Sequence, residues 1–420
     1  MPAETTLAGR LAEDAAERFL RYVRIDTQSD EESEKYPSTD GQLVLLRLLR
    51  DELEQAGLPD AAIDEHGYVT ATLPATVEHE VPTIAWFAHV DTAREVSGAD
   101  VSPQRIRYEG GEIQLGDSDQ TIRPEQSPEL ANHVGHELIT TDGTTLLGAD
   151  DKAGVAEIVA AAAHLAANPD LPHGPVKVAF NPDEEIGRGV VHFAVDTFGA
   201  SAAYTVDGST AGELQAETFS GAQVRLHIRG RAIHPGWAKD ELVNAIKVAA
   251  EIVSRLPQDS LSPETTEGRD GYVHPVLVHG DSSNVELRFI ARDFDNDRLA
   301  EHVAFLHALA EEVGADEPRC SIEVEDHIQY RNTHDGLQPR PEIVANLEQA
   351  IRRVGLEPKQ TAIRGGTDGS ALTEMGLPTA NLFTGGHDAH SEREWICVED
   401  MGLAAATVVE LARVWAESPA

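Results

Sequence analysis

The sequence predicts an α/β layered domain interrupted by a smaller α+β domain, and three observations predict it. Short apolar runs at Thr83–Ala88, Val176–Phe180, Ala203–Val206 and Thr379–Phe383 alternate with helical patterns, as in a layered sheet. Acidic or histidine clusters follow these runs directly, where the loops at the carboxyl ends of such strands belong. From about residue 214 the pattern changes: Val224, Leu226 and Ile228 alternate with Arg225, His227 and Arg229, the period of a strand with one face in water. The expected domains are residues 1–213 with 334–420, discontinuous in sequence, and an insertion at 214–333. A length of 420 residues also favours two domains over one core.

Taken in order, Leu11, Ala15, Phe19, Leu20 and Val23 recur at helical spacing and predict an amphipathic helix. A charged loop follows at Glu31–Tyr36. Thr39 with Gln42 is a capping-box pattern that opens a second helix running through Leu53. Val69–Leu73 reads as a strand and Thr83–Ala88 as a buried one. Residues 93–145 are rich in Gly, Asp and Pro, which predicts short strands without a long helix. Val155–Ala167 is an Ala-rich helix whose pattern starts near Lys152. The insertion reads strand–helix–strand–helix–strand: the alternating strand, a helix at Leu242–Leu256, a loop at 257–271, a strand at Val285–Ala291, a helix at Arg298–Val313 and a strand at Ser321–Tyr330. Beyond Pro341 come a helix (Ile343–Val354), the strand Thr379–Phe383, a loop and a last helix (Met401–Trp415).

Composition excludes several function classes. Asp and Glu number 73 against 33 Lys and Arg, a net charge of −40, and neither nucleic acid nor an anionic membrane suits such a surface. Only six of the cations are lysines, which fits a salt-rich cytoplasm as well as an ordinary acidic enzyme. Two cysteines, Cys320 and Cys397, make no disulfide framework and suit a reducing compartment. The first residues lack the basic and apolar regions of a signal peptide, and Glu157 and His164 interrupt the most apolar run. A cytoplasmic location is expected.

Five clusters carry the chemistry. His89 and Asp91 follow an apolar strand two positions apart, so imidazole and carboxylate share a face. Asp150 and Asp151 precede Lys152 at a strand-to-helix turn. Two adjacent carboxylates need positive charge there, which Lys152 supplies for one and a divalent cation supplies better. Asp183, Glu184 and Glu185 follow Val176–Phe180 and suit a metal ligand beside a general base. Asp207 ends Tyr204-Thr205-Val206, and the loop Thr384–His390 offers His387 and His390, either of which can ligate. Each cluster alone has an ordinary explanation: a helix cap, a solvated turn, an Asp-Gly turn or a surface histidine. All five after strands of one domain is hard to ascribe to chance.

These segments resemble the M20 metallopeptidases. The matching stretches are Ala88-His89-Val90-Asp91-Thr92, Thr140 through Gly154, Asp183-Glu184-Glu185-Ile186-Gly187 and Tyr204-Thr205-Val206-Asp207-Gly208. They continue with His234-Pro235-Gly236, Arg292-Asp293-Phe294-Asp295, Ile363 through Gly369 and Asn381 through Gly386, in family order across nearly the whole chain. The resemblance implies a zinc-peptidase α/β/α catalytic domain with an inserted α+β lid domain. It implies two Zn2+ ions, with Co2+ or Mn2+ as substitutes. His89 and Asp207 would hold one ion, Glu185 and His390 the other, and Asp150 would bridge them. Asp91 would orient His89, and Glu184 would be the general base. The Asp150–Asp151 peptide bond would be cis. From the insertion, His234 would help hold the carbonyl oxyanion, while Arg292 and Arg364 would grip the peptide's terminal carboxylate. The loop Gly385-Gly386-His387-Asp388-Ala389-His390-Ser391 departs from the family's more aromatic one. The implied activity is removal of the N-terminal residue from short peptides, tripeptides foremost; a homodimer is a possible assembly. A dipeptidase, a carboxypeptidase, an N-acyl-amino-acid deacylase and a non-catalytic peptide-binding protein are the alternatives.

Overall fold

The strand Ile84–His89 is buried at every position, as befits the middle of a sheet covered on both faces. In the computed structural model, which describes residues 6–417, it pairs in parallel with Val176–Asn181 on one side and Ala202–Gly208 on the other. Ala202–Gly208 pairs in parallel with Thr379–Phe383. The sheet has eight strands, ending in Val69–Leu73 and Ala62–Ile63 at one edge and in Glu213–Thr218 and Lys359–Ile363 at the other. Alternate side chains face opposite layers. Trp86 and Ala88 pack with the helices Leu7–Tyr22, Ala149–Ala167 and Val398–Glu417, whereas Ala85 and Phe87 pack with Tyr68, Phe193 and Leu372. His89 lies opposite Asn181, and Phe87 opposite Thr205, so the carboxyl ends of the central strands are level. Residues just beyond those ends fall along one edge.

A second, four-stranded sheet runs in the order Gly386–His387, Trp395–Cys397, Glu137–Thr140, Gln104–Arg107. It has a small core of its own around Leu130, Leu138 and Trp395, and it carries the loop that bears His390. Both sheets, but for the last two residues of each of the edge strands Glu213–Thr218 and Lys359–Ile363, belong to a unit made of residues up to 216, 336–361 and those from 367 on.

The other unit comprises 217–335 and 362–366. Four antiparallel strands run in the order Tyr272–Gly280, Asn284–Asp293, Ser220–Arg229, Ser321–Tyr330. Val224, Leu226 and Ile228 point into a core shared with the helices Ala245–Ser254 and Asn296–Asp316. Tyr272–Gly280 is a strand that the sequence did not announce. Pro275 interrupts its pattern, and a proline is tolerated because this strand is an edge, with a bulge between Pro275 and Leu277.

Two local expectations are corrected. Thr39 stands at the N-cap of Asp40–Gln55, but its hydroxyl donates to the Gln28 carbonyl and caps nothing, while Gln42 reaches Asp183 Oδ1 at 2.7 Å. Lys152 neutralises neither neighbouring aspartate: its buried Nζ donates to the Ile25 carbonyl at 2.9 Å. Among the described residues, no helix is long and apolar enough to cross a membrane.

Candidate active site

His89 ends its strand with its ring buried and carboxylates around it. Nε2 lies 3.1 Å from Asp150 Oδ1 and 3.8 Å from Asp207 Oδ1. On the other side Nδ1 lies 3.3 Å from Asp91 Oδ1, near but outside hydrogen-bond alignment. Asp150 turns its second oxygen to the loop: Oδ2 is 3.3 Å from His390 Nε2, which in turn is 3.1 Å from Glu185 Oε1. Two sets of potential ligands result, His89–Asp150–Asp207 and Asp150–Glu185–His390, each with its atoms within 4.8 Å of one another. Asp150 belongs to both. Of the two loop histidines, His390 joins these carboxylates and His387 does not.

The backbone fixes this arrangement. Regular helix begins only after Asp151, because Asp150 and Asp151 have non-helical dihedrals; the bond between them is cis. Asp151 joins neither ligand set, and its Oδ2 accepts the His89 N–H at 3.2 Å. Gly154 brings the helix against the strand end; a Cβ there would stand 1.8 Å from the Val206 carbonyl oxygen. Asp91 accepts the N–H groups of Glu184 and Glu185 at 2.9 and 3.1 Å, so a single carboxylate places both glutamates beside His89. Asp183 accepts from Ser38 and Gln42 and is a structural group.

The electrostatics ask for cations. Burial, and next the Asp150 charge, pushes Glu185 up to about 7 and Asp207 well above the usual carboxylate range. Burial pushes Glu184 up to about 8. Against the cost of burial, hydrogen bonds from His390 and His89 hold Asp150 below its ordinary value. Hydrogen bonds to Asp150 and Glu185 raise His390 to about 11, so protons on the imidazoles supply the positive charge that the carboxylates require. Among the described residues, Glu185 Oε1 has only the His390 imidazole, at 3.1 Å, for a partner. Imidazole and carboxylate donors without thiolate, in two sets that share Asp150, fit two divalent cations of the zinc, cobalt or manganese kind.

Of the remaining expected residues, His234, Arg292 and Arg364 lie in the second unit. His234 is exposed in a turn, with Nδ1 accepting the Gly236 N–H at 3.1 Å. Arg292 donates through Nη1 to the Ala222 and Ala291 carbonyls and lies over the Tyr330 ring. Arg364 donates through both terminal nitrogens to Thr266 and Gly268 and lies over Phe219.

Sequence reasoning missed two carboxylates. Glu394 is buried and accepts the N–H groups of Leu147 and Gly148 at 2.7 Å and of Asp150 at 3.1 Å, shaping the turn that presents Asp150. Asp368, also buried, accepts from Asn181 Nδ2 at the end of a central strand. Asp368 lies in the family-like stretch Ile363–Gly369; nothing local to Glu394 marks it, since its partners are more than two hundred residues away.

The family model for peptidase family M20/M25/M40 matches residues 131–414. Peptidase T of Bacillus velezensis is 48% identical over 403 residues, covering 96% of this chain and 98% of the relative. Among solved structures, aminopeptidase PepT from Bacillus cereus superposes with a TM-score of 0.71 at 24% identity, covering 96% of this chain and 99% of that one. A tripeptidase from Staphylococcus aureus gives 0.76 at 23%, covering 97% and 99%. At those identities the two structures speak for the fold alone, whereas the family match and the near full-length relative speak for descent. The chain belongs to peptidase family M20/M25/M40, and within it stands with the peptidase T enzymes.

Proposed function

We propose that the protein is an aminopeptidase that removes the N-terminal residue of short peptides, tripeptides foremost, with two Zn2+ ions held by His89, Asp150, Glu185, Asp207 and His390. One observation carries the reading: Asp150 turns Oδ1 to His89 and Oδ2 to His390, one oxygen in each ligand set. A carboxylate that bridges two cations needs that division. Two solved structures named for an aminopeptidase and a tripeptidase share the fold, and the near full-length likeness is to peptidase T.

When bound, the cations would polarise the scissile carbonyl and acidify a water. Glu184 takes that water's proton and returns it to the leaving amine. Its backbone is pinned by Asp91, and burial brings its carboxyl near the pKa that suits a general base at neutral pH. Asp91 is a positioning residue, set against His89 and holding both glutamates. His234 would supply a donor to the carbonyl oxygen in the transition state. Arg292 would bind the C-terminal carboxylate of the peptide, since its bonds to backbone carbonyls use only Nη1 and leave Nε and Nη2 as a fork. Arg364 has both terminal nitrogens engaged and keeps a lesser part. The cytoplasm is the proposed location, in line with the free Cys320 and Cys397.

A panel of peptides tests this. Zinc-loaded protein should release the N-terminal residue from free tripeptides and spare their N-acetylated forms. His234→Ala should lower kcat by about 10²–10³-fold while metal content stays, the cost of one oxyanion donor. Release of the C-terminal residue, or hydrolysis of the acylated forms, would move the assignment to a carboxypeptidase or a deacylase. Absence of turnover on every peptide would leave only a binding role.

A further inference from the structure

Apart from the five proposed ligands, His133, His387 and Asp400 meet inside the same unit. One ring nitrogen of each histidine and one Asp400 oxygen lie within 4.8 Å of one another. All three residues are buried, His387 to 7% exposure. They come from three elements: the 3-10 turn Pro128–His133, the strand Gly386–His387 and the helix Val398–Glu417. Gly385, with φ at +93°, lets the loop cross Asp400 closely; a Cβ there would stand 2.6 Å from the Asp400 Cβ.

The hydrogen positions follow from the partners. His133 Nδ1 lies 2.7 Å from the Glu129 carbonyl oxygen, which can only accept, so Nδ1 carries the hydrogen. Nε2 is thereby the atom that faces Asp400 Oδ2, at 2.8 Å. A histidine anchored through one nitrogen to a backbone carbonyl while the other is offered forward is the arrangement of an oriented metal ligand. Ser209 Oγ donates to the Gly386 carbonyl at 2.6 Å, so it can only accept from His387 Nδ1, 3.4 Å away. His387 Nε2 is then left with its lone pair, buried and without a hydrogen-bond partner. The ring is held by stacking on Trp395, with centroids 4.3 Å apart and planes at 24°. Burial, with His133 beside it, pushes His387 down to about 4, which keeps it in the neutral form that ligates.

A plain ion pair between His133 and Asp400 accounts for two of the three groups. It leaves the His387 lone pair buried and unpaired, with its desolvation uncompensated. A divalent cation in place of the shared proton satisfies all three. A second set, His133, His136 and Cys397, converges close by. It is the weaker candidate, because burial pushes the Cys397 thiol up and Sγ sits 3.5 Å from the Glu399 carboxylate, which disfavours the thiolate.

We propose that His133, His387 and Asp400 form a further metal site, for a Zn2+ ion that ties the loop after Thr384 to the helix Val398–Glu417. Two imidazoles and one carboxylate leave a fourth position for water. The ion would hold the strand Gly386–His387 in place, from which the chain runs on to His390.

The test counts zinc. Wild-type protein, His387→Phe and Asp400→Asn are loaded with Zn2+, freed of excess and analysed by plasma mass spectrometry, with circular dichroism to confirm folding. Phe keeps the stack on Trp395 and removes the ligand. Each variant should hold one zinc fewer per chain than wild type, whatever number the active site holds. Equal zinc in all three chains overturns the proposal. Should a variant fail to fold, anomalous scattering at the zinc edge from wild-type crystals decides: a peak among His133, His387 and Asp400 supports the site, and a map without one refutes it.

Discussion

Gly154→Ala should disable the enzyme without touching a ligand. The new methyl would stand 1.8 Å from the Val206 carbonyl oxygen and 2.6 Å from Asp151 Oδ1. The first neighbour is backbone and cannot swing aside. Restoring even a 3.0 Å contact moves helix and strand apart by about 1.2 Å. Asp150 rides on the helix side of this contact and Asp207 on the strand side, directly after Val206. Their separation therefore grows by a similar amount, and a misplacement of about 1 Å costs roughly 10²-fold in rate. Overpacking adds about 1–3 kcal/mol of lost stability. Turnover of a tripeptide, zinc retention and urea unfolding measure the three consequences. A Gly154→Ala protein with wild-type kcat and wild-type zinc would show that the helix–strand contact does not set the ligand geometry.

Glu394→Ala removes the acceptor for three N–H groups around Asp150, and zinc affinity should fall by about 10–100-fold, typical of a lost supporting contact; equilibrium competition with a chelator measures it. Glu157 is buried with both oxygens unpartnered, and burial, then Asp400, raises its pKa well above the ordinary value. The folded state thus keeps a proton that the unfolded chain has already lost, so its contribution is complete below about pH 4.5 and declines as pH rises. Glu157→Gln should accordingly gain stability over wild type between about pH 5 and pH 8 in denaturant titrations, and a constant difference would refute the assignment. With a net charge of −40, the melting temperature should rise from low to about 1 M NaCl as repulsion is screened; a flat profile would remove the link to a salt-rich interior.

What the sequence made legible depended on burial. The four central strands are nearly continuous apolar runs because both faces are covered, and every proposed catalytic-domain ligand follows one of them or begins the helix beside them. Polar strands at the margins were not legible. Lys359–Ile363 carries little apolar signal; Tyr272–Gly280 does hold Val276, Leu277 and Val278, exposed as they are, but Pro275 argues against a strand wherever its position in the sheet is unknown. Side-chain partners set by tertiary contact were also hidden. Lys152 beside two aspartates reads as their counter-ion, yet the helix turns it to Ile25; Thr39 and Gln42 have capping spacing, yet Gln28 and Asp183 claim them. Glu394 and the pair His133–Asp400 lie far apart in sequence from what they touch, so no window along the chain joins them.

The most direct test of the central claim compares Glu184→Gln with Glu185→Gln. The two are adjacent, held by the same Asp91 carboxylate, and assigned different tasks. Zinc per chain, measured together with tripeptide turnover, separates a proton carrier from a ligand. Glu184→Gln should keep the wild-type zinc complement while kcat falls by about 10²–10⁴-fold. Glu185→Gln should lose one zinc. Equal zinc loss in both variants, or full turnover in Glu184→Gln, would contradict the account.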